Sequence, residues 1–328
     1  MVLTRRTVLG TGLALPLAAV GLTGCSRSTP DPLRLMVPNA PGGGYDTTAR
    51  VLAGAINQER EDAAAEVFNL AGGGGLVGLS RLETERGNPD LMMMMGLGVV
   101  GAALAATPRR TLSRTTPLAR LIGESEILLV PSESPYATFG DLAATWTRHP
   151  ERVRVGGGSL PGGPDHLATY ALAAAIDVPA GRVRYSSHDG GGPLLTALLR
   201  RDVDLAVTGV LETIDQLRSG SVRALAVTSA RRVLDGVPTL MEQGVDVEFE
   251  NWRGVLAAPD LDAGVADRLV DLLREGVRSE AWEAAARRNG WTSRWLAGEE
   301  FGDFLVKEEQ RTAVLLAGAG AGREDATG

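Results

Sequence analysis

Lysine is all but missing from this chain: Lys307 is the only one among 328 residues. No lysine therefore stands near a glycine-rich loop to hold a phosphate or form a Schiff base. Cysteine is as scarce. Cys25 is alone, which excludes an intramolecular disulfide. Histidine occurs only as His149, His166 and His188, so acid–base or metal chemistry built on imidazole has few candidates. Positive charge is outnumbered, 33 Lys and Arg against 40 Asp and Glu for a formal net charge of −7. That balance argues against a nucleic-acid binder, which needs a basic footprint. A phosphate-binding G-K-[ST] sequence is absent as well.

Glycine, by contrast, is abundant at 42 residues and clusters between apolar segments. Hydrophobic residues make up 44% and charged residues 22%, ordinary for globular material, and the length suggests two domains of about 150 residues each.

The first 25 residues read as an export signal. Arg5-Arg6 is followed by an apolar, small-residue stretch that carries no charge and ends Leu22-Thr23-Gly24-Cys25. The arginine pair suits a twin-arginine signal, and a general secretory signal is also open. Leu-Thr-Gly-Cys resembles the lipobox of bacterial lipoproteins, in which the cysteine becomes the lipidated first residue. An uncleaved anchor helix is the alternative, but the apolar stretch is short and interrupted by Pro16. Removing Arg5 and Arg6 with the signal takes the net charge to about −9. Residues 26–32 read as a tether, and residues 317–328, small and polar, as a disordered tail.

The stretch around which the rest is organised is Pro38-Asn39-Ala40-Pro41-Gly42-Gly43-Gly44-Tyr45-Asp46. An apolar strand, 33–37, leads in, and an amphipathic helix, about 47–58, leads out. Three glycines bare backbone N–H groups beside a helix N-terminus, which carries unpaired donors and a partial positive charge. Such a turn suits a carboxylate without any basic residue. Asp46 reads as the helix N-cap, four residues before Arg50. The bland alternative is a plain strand-to-helix turn.

The same alternation of strand, glycine-rich loop and helix continues. It recurs at Gly72-Gly73-Gly74-Gly75, at Gly96-Leu97-Gly98, at Gly156-Gly157-Gly158-Ser159 through Gly162-Gly163, at His188-Asp189-Gly190-Gly191-Gly192, and at Thr208-Gly209. Apolar segments at 127–130 and around 247–257 read as crossings between two sets of such units. This grammar predicts two α/β lobes, 33–130 with 253–316 and 131–252, joined by two segments. Ligands of open α/β sheets sit beyond the carboxyl ends of the strands, where these loops lie, so two facing sets make a cleft that closes by hinge motion.

Several enzymatic motifs nearly appear. Gly73 to Gly78 and Gly96 to Gly101 both fit G-x-G-x-x-G, but the acidic residue of a dinucleotide site is missing from the end of the next strand. Gly157-Gly158-Ser159-Leu160-Pro161 approaches a nucleophile elbow and is broken by Pro161. A hydrolase would use Ser159 with His166 or His188. A metal site from Asp165, His166, His188 and Asp189 is conceivable on paper, although no spacing demands it. Of the tryptophans, Trp252 stands on the return crossing and is a candidate cleft residue; Trp282, Trp291 and Trp295 read as core or interface.

Arg34-Leu35-Met36-Val37-Pro38 with Ala40-Pro41-Gly42-Gly43-Gly44 and Asp46 resembles the first strand and loop of the tripartite tricarboxylate transporter receptors. Ala71 to Gly75, Gly158-Ser159 through Asp165-His166-Leu167, Val222 to Thr228 and Gly236-Val237-Pro238-Thr239-Leu240 resemble further segments of that family in the same order, over about 33–316. Two departures stand out: four glycines in the second loop, and His188-Asp189-Gly190-Gly191-Gly192 where a Tyr-Lys-Gly run is commoner. The resemblance implies an α/β, two-lobed periplasmic-binding-protein fold (type II-like), with two parallel or mixed sheets flanked by helices and two hinge crossings. It implies a monomer that delivers a di- or tricarboxylate to membrane permease subunits, anchored outside the cytoplasmic membrane through Cys25, with no cofactor and no catalysis. The residues expected at the ligand are Pro41, Gly42, Gly43, Gly44, Tyr45, Asp46, Gly73 and Gly74 with Gly96 from one lobe. Ser159, Gly162, Gly163, His166, Gly190, Gly191 and Thr208 are expected from the other. Asp46 would orient its helix. The rival functions are an extracellular carboxylate sensor and a secreted serine hydrolase using Ser159.

Overall fold

The computed structural model describes residues 32–60, 64–107 and 109–324, with backbone alone for the last four. The expected export signal, Cys25 and all but the end of the tether lie outside the described residues.

The first half of the described chain alternates strand and helix: β1 (Leu33–Val37), α1 (Gly44–Glu59), β2 (Ala65–Asn69), α2 (Leu76–Thr84), β3 (Leu91–Gly96) and α3 (Leu97–Ala105). β1 lies between β2 and β3, parallel to both. Such a strand is buried on both faces, which is why β3 reads Leu-Met-Met-Met-Met with no alternation and is buried throughout.

A 16-residue strand, β4 (Thr116–Pro131), then runs through the molecule. After it come α4 (Phe139–Arg148), β5 (Arg154–Gly157), α5 (Pro164–Ala175), β6 (Arg184–Ser187), α6 (Gly191–Leu199), β7 (Leu205–Gly209), α7 (Ile214–Ser219) and β8 (Val222–Val227). β5 is parallel to β6 and β7. The chain closes with β9 (Glu250–Ala257), α8 (Ala263–Arg278), α9 (Glu280–Arg288), β10 (Thr292–Ala297) and α10 (Glu299–Glu324).

β4 joins the two groups of parallel strands. From Thr116 to Ser125 it pairs antiparallel with β9, which in turn pairs with β3. From Glu126 onward it pairs with β7 and β8 instead. The result is an α/β fold of two mixed sheets, flanked by helices and sharing one strand. Sequence reading takes 127–130 as an apolar crossing with Glu124 and Glu126 ahead of the strand; both glutamates are instead inside β4 and buried.

Two element ends differ from expectation. α1 begins at Gly44, and its cap is Gly43, which is extended at φ −76°, ψ 172°. α10 runs on to Glu324 where an end near Leu316 and a disordered tail were expected. The extra turns have something to pack on: Gly318 lies against Ala180, and Ala319 is buried.

Candidate functional site

The carboxyl ends of β1, β3, β5 and β7 all open on one cavity of about 730 Å³. Its wall includes Gly42, Gly44, Tyr45, Gly73 and Gly74 from the first half of the fold. Ser159, Gly162 and Gly163 face them from the second. The two halves touch: a Cβ on Gly101 of α3 would overlap the carbonyl of Gly162. Pro41, Gly43, Asp46, Gly96, His166, Gly190, Gly191 and Thr208 are not in the wall; they lie behind or beside it.

Asp46 is not the N-cap of α1. It sits in the first turn and folds the preceding loop. Gly42 adopts φ +90°, a conformation suited to glycine, and donates its N–H to Asp46 Oδ2 at 2.9 Å. Arg50 Nε donates to the same oxygen at 2.9 Å, and Asn69 Nδ2 to Oδ1 at 2.9 Å. The Arg50 hydrogen bond, with Gly42 and Asn69 adding, brings the Asp46 carboxyl down to about 2. The Gly42 amide is thus already occupied. Among the described residues the N–H groups of Gly43, Gly44 and Tyr45 at the start of α1 have no intramolecular acceptor.

Tyr45 projects from this turn into the core. Its hydroxyl lies against the first turn of α3, beside Gly98 and Val99, and burial holds the phenol up at about 12. Gly96 is small for packing: a Cβ there would overlap the Trp252 carbonyl and crowd the Tyr45 ring.

On the opposite side, Gly162 repeats φ +90° and donates to His166 Nδ1 at 3.3 Å. Gly158 donates to Asp165 Oδ2 at 2.6 Å, and the Asp165 N–H donates to Ser159 Oγ at 3.0 Å. Ser159 Oγ therefore caps α5. His166 Nδ1 is engaged by Gly162, and His188 Nε2 by Ser186 Oγ at 3.3 Å. Among the described residues no three His, Cys, Asp or Glu side chains converge as metal ligands do. The Gly190 N–H donates to the Gly158 carbonyl at 3.1 Å. The Glu212 carboxylate lies where a Cβ on Gly191 would be, and Thr208 Oγ1 donates to Glu212 Oε2 at 3.4 Å.

Sequence reading missed Glu124, Glu212 and Arg253 in the wall and weighed Asp165 there only as a metal ligand. Arg253 Nη2 donates to Glu124 Oε2 at 2.5 Å, and Nη1 to Thr48 Oγ1 at 3.0 Å. Gly44 makes room for it, since a Cβ there would lie 2.5 Å from Nη2. The one available signal is a lone arginine inside the apolar run of β9, since a buried charge demands partners. Trp252, expected at the cleft, is instead core: its indole N–H donates to Glu308 Oε2 at 2.9 Å and its ring packs edge-on to Phe301 and Phe304. Trp291 lines the cavity in its place.

Acids dominate the interior. Glu126 is wholly buried, and neither carboxylate oxygen has a partner among the described residues. Burial drives its carboxyl well above the ordinary range, and Asp165, Glu124 and Glu212 push the same way. Burial, with the Glu212 charge adding and the Gly158 N–H opposing, raises Asp165 to about 7. Glu212 is open to the cavity, yet desolvation first and Glu124 second raise it too.

A family profile described as tripartite tricarboxylate transporter family receptor matches residues 49–317. The chain belongs to that family. It is a periplasmic-type solute-binding protein, a receptor family and not one of enzymes. BugT of Bordetella pertussis is 26% identical over 299 residues, 88% of this chain and 90% of BugT. Two solved structures share the fold at a TM-score of 0.71. MatC from Rhodopseudomonas palustris with bound malate is 21% identical and covers 87% of this chain and 98% of its own. Rpa4515 of the same organism, with adipate, is 23% identical over 88% and 97%.

Proposed function

We propose that this receptor captures a small organic acid in the cavity between its two sheets and presents it to membrane permease subunits. The observation that carries the reading is the start of α1, where among the described residues the N–H groups of Gly44 and Tyr45 stand unpartnered at a cavity wall that also holds Arg253, with that of Gly43 beside it. A helix N-terminus with free donors attracts a carboxylate, and a guanidinium grips one through paired hydrogen bonds. The relatives with malate and adipate support an acid of that size.

The two lobes read from the sequence, 33–130 with 253–316 and 131–252, hinge along β4, whose partner change at Glu126 moves the first crossing a few residues earlier than Val130. A ligand touching both favours the closed state in proportion to that differential contact. The contact of Gly101 with Gly162 supports a closed arrangement. Cys25 anchors the mature chain to the outer face of the cytoplasmic membrane through lipid, and a Cys25→Ala variant should leave the membrane fraction.

Thermal melting in the presence of citrate, succinate, glutamate and a neutral sugar tests the reading. A ligand at 100 times its Kd stabilises by about 2.7 kcal/mol. A response to the sugar alone would reject the acid.

A further inference from the structure

We infer that the captured acid also carries a protonated amine, held on the side of the cavity opposite α1 by Asp165 and Glu212. This inference rests on the solute-binding reading and narrows its ligand.

The charges in the wall do not suit a molecule that is only an anion. Glu124, Asp165 and Glu212 face one cation, Arg253, and Arg253 is hydrogen-bonded to Glu124. Two carboxylates in the wall are left without a cationic partner there. A further acid stands close behind them. Glu126 follows Glu124 by two positions in β4 and so shares its face, the face that meets the cavity. It is fully buried with both oxygens unpartnered, and a buried polar group in that condition calls for a partner the protein itself does not supply.

The amides of the second half add to the argument. Gly158 donates to Asp165, and the Glu212 carboxylate lies against Gly191. The turn that sequence reading assigned to a ligand carboxylate has its groups taken within the chain, Gly162 by His166, Gly163 by the Leu160 carbonyl and Ser159 Oγ by the Asp165 N–H. A diacid spanning the cavity would place its second negative charge against Asp165 and Glu212. An ammonium group there meets acceptors instead. At the other end, the free amides of α1 beside Arg253 remain fit for one carboxylate. No three acids converge as metal ligands among the described residues, so an organic ammonium suits the geometry better than a metal ion.

Matched pairs of compounds test this. Isothermal titration at pH 7.5 compares glutamate with glutarate, aspartate with succinate, and 6-aminohexanoate with adipate. The inference expects the amine-bearing member of at least one pair to bind at least tenfold tighter than its diacid. It expects Glu212→Gln to erase that preference while leaving the diacid unweakened. Diacids that bind as tightly as their partners in every pair, or more tightly, would overturn it and leave the organic-acid reading standing. A preference that survives Glu212→Gln and Asp165→Asn alike would overturn the assigned residues. Binding of no compound in any pair would overturn both this inference and the acid reading beneath it.

Discussion

Replacing Arg253 by methionine is the most informative perturbation. The guanidinium is buried, 2.5 Å from Glu124 Oε2 and 3.0 Å from Thr48 Oγ1. With charge centres about 4 Å apart and an effective dielectric near 20, the Coulomb attraction is about 4 kcal/mol. Breaking a buried pair from one side costs about 3–5 kcal/mol, because the remaining charge keeps its desolvation penalty. Here the remaining charge also faces Glu126, Asp165 and Glu212. Urea unfolding of Arg253→Met at pH 8 should therefore show a loss in that range. The loss should shrink at pH 5, where the cluster can take up protons and relieve the repulsion. Adding Glu124→Gln to Arg253→Met should recover most of the stability, since it removes the stranded charge. A loss below about 1 kcal/mol, the value of an exposed pair, would refute the reasoning. So would a loss equal at both pH values, or a double variant no more stable than the single one.

Asp165 has a carboxyl raised from its ordinary 3.8 to about 7, so ionisation disfavours the fold. The unfolded chain releases that proton first, and stability falls as pH rises from about 4 through 7, by at most about 1.4 kcal/mol per pH unit; Asp165→Asn should flatten this slope in urea titrations run from pH 5 to 8. Gly101→Ala should separate stability from binding. Alanine favours α3 by up to about 1 kcal/mol, so the free protein, open at the hinge, should melt no lower, whereas on closure the new methyl meets the Gly162 carbonyl and should weaken ligand binding measured by calorimetry; a lower melting point for the free protein would refute the open free state. Tyr45→Phe removes the hydroxyl that faces the first turn of α3 beside Gly98 and Val99 and should cost about 1–3 kcal/mol in urea unfolding if it is their acceptor; a neutral result would refute that role.

Much of the fold was legible because its signals are local. The strand of Leu33–Val37, the uniformly apolar β3 and the glycine turns after β1, β3 and β5 follow from composition and spacing alone. The site was legible only as a location. Gly42, Gly44, Gly73, Gly74, Ser159, Gly162 and Gly163 do meet at one cavity, but what their N–H groups bond to depends on side chains that arrive from elsewhere. Glu212 reaches Gly191 from beyond β7, and Arg253 reaches Gly44 from β9. Nothing adjacent in the sequence marks either meeting. Glu124 and Glu126 misled for a related reason. In the sequence they read as preceding a strand, whereas β4 carries them into the interior, where Arg253 hydrogen-bonds the first and no described group hydrogen-bonds the carboxylate of the second.

The two loops at the cavity are one device built twice, and a small difference between them makes the cleft asymmetric. Pro41-Gly42-Gly43 and Pro161-Gly162-Gly163 share φ +90° at the first glycine and an extended second glycine as helix cap. In each, the first glycine donates to the side chain four positions on, Asp46 in one and His166 in the other. The next position differs. Gly44 keeps an N–H at the helix start and leaves space for the Arg253 guanidinium. Pro164 has no N–H to give. Behind it the Gly163 N–H is taken by Leu160 and that of Asp165 by Ser159. The start of α1 thus presents donors beside a cation, while the start of α5 presents the Asp165 carboxylate, its nearest amides already taken by Leu160 and Ser159. Equal turns with unequal residues after them offer unequal groups to the two ends of a ligand, which is the asymmetry that the proposed amine-bearing acid would match.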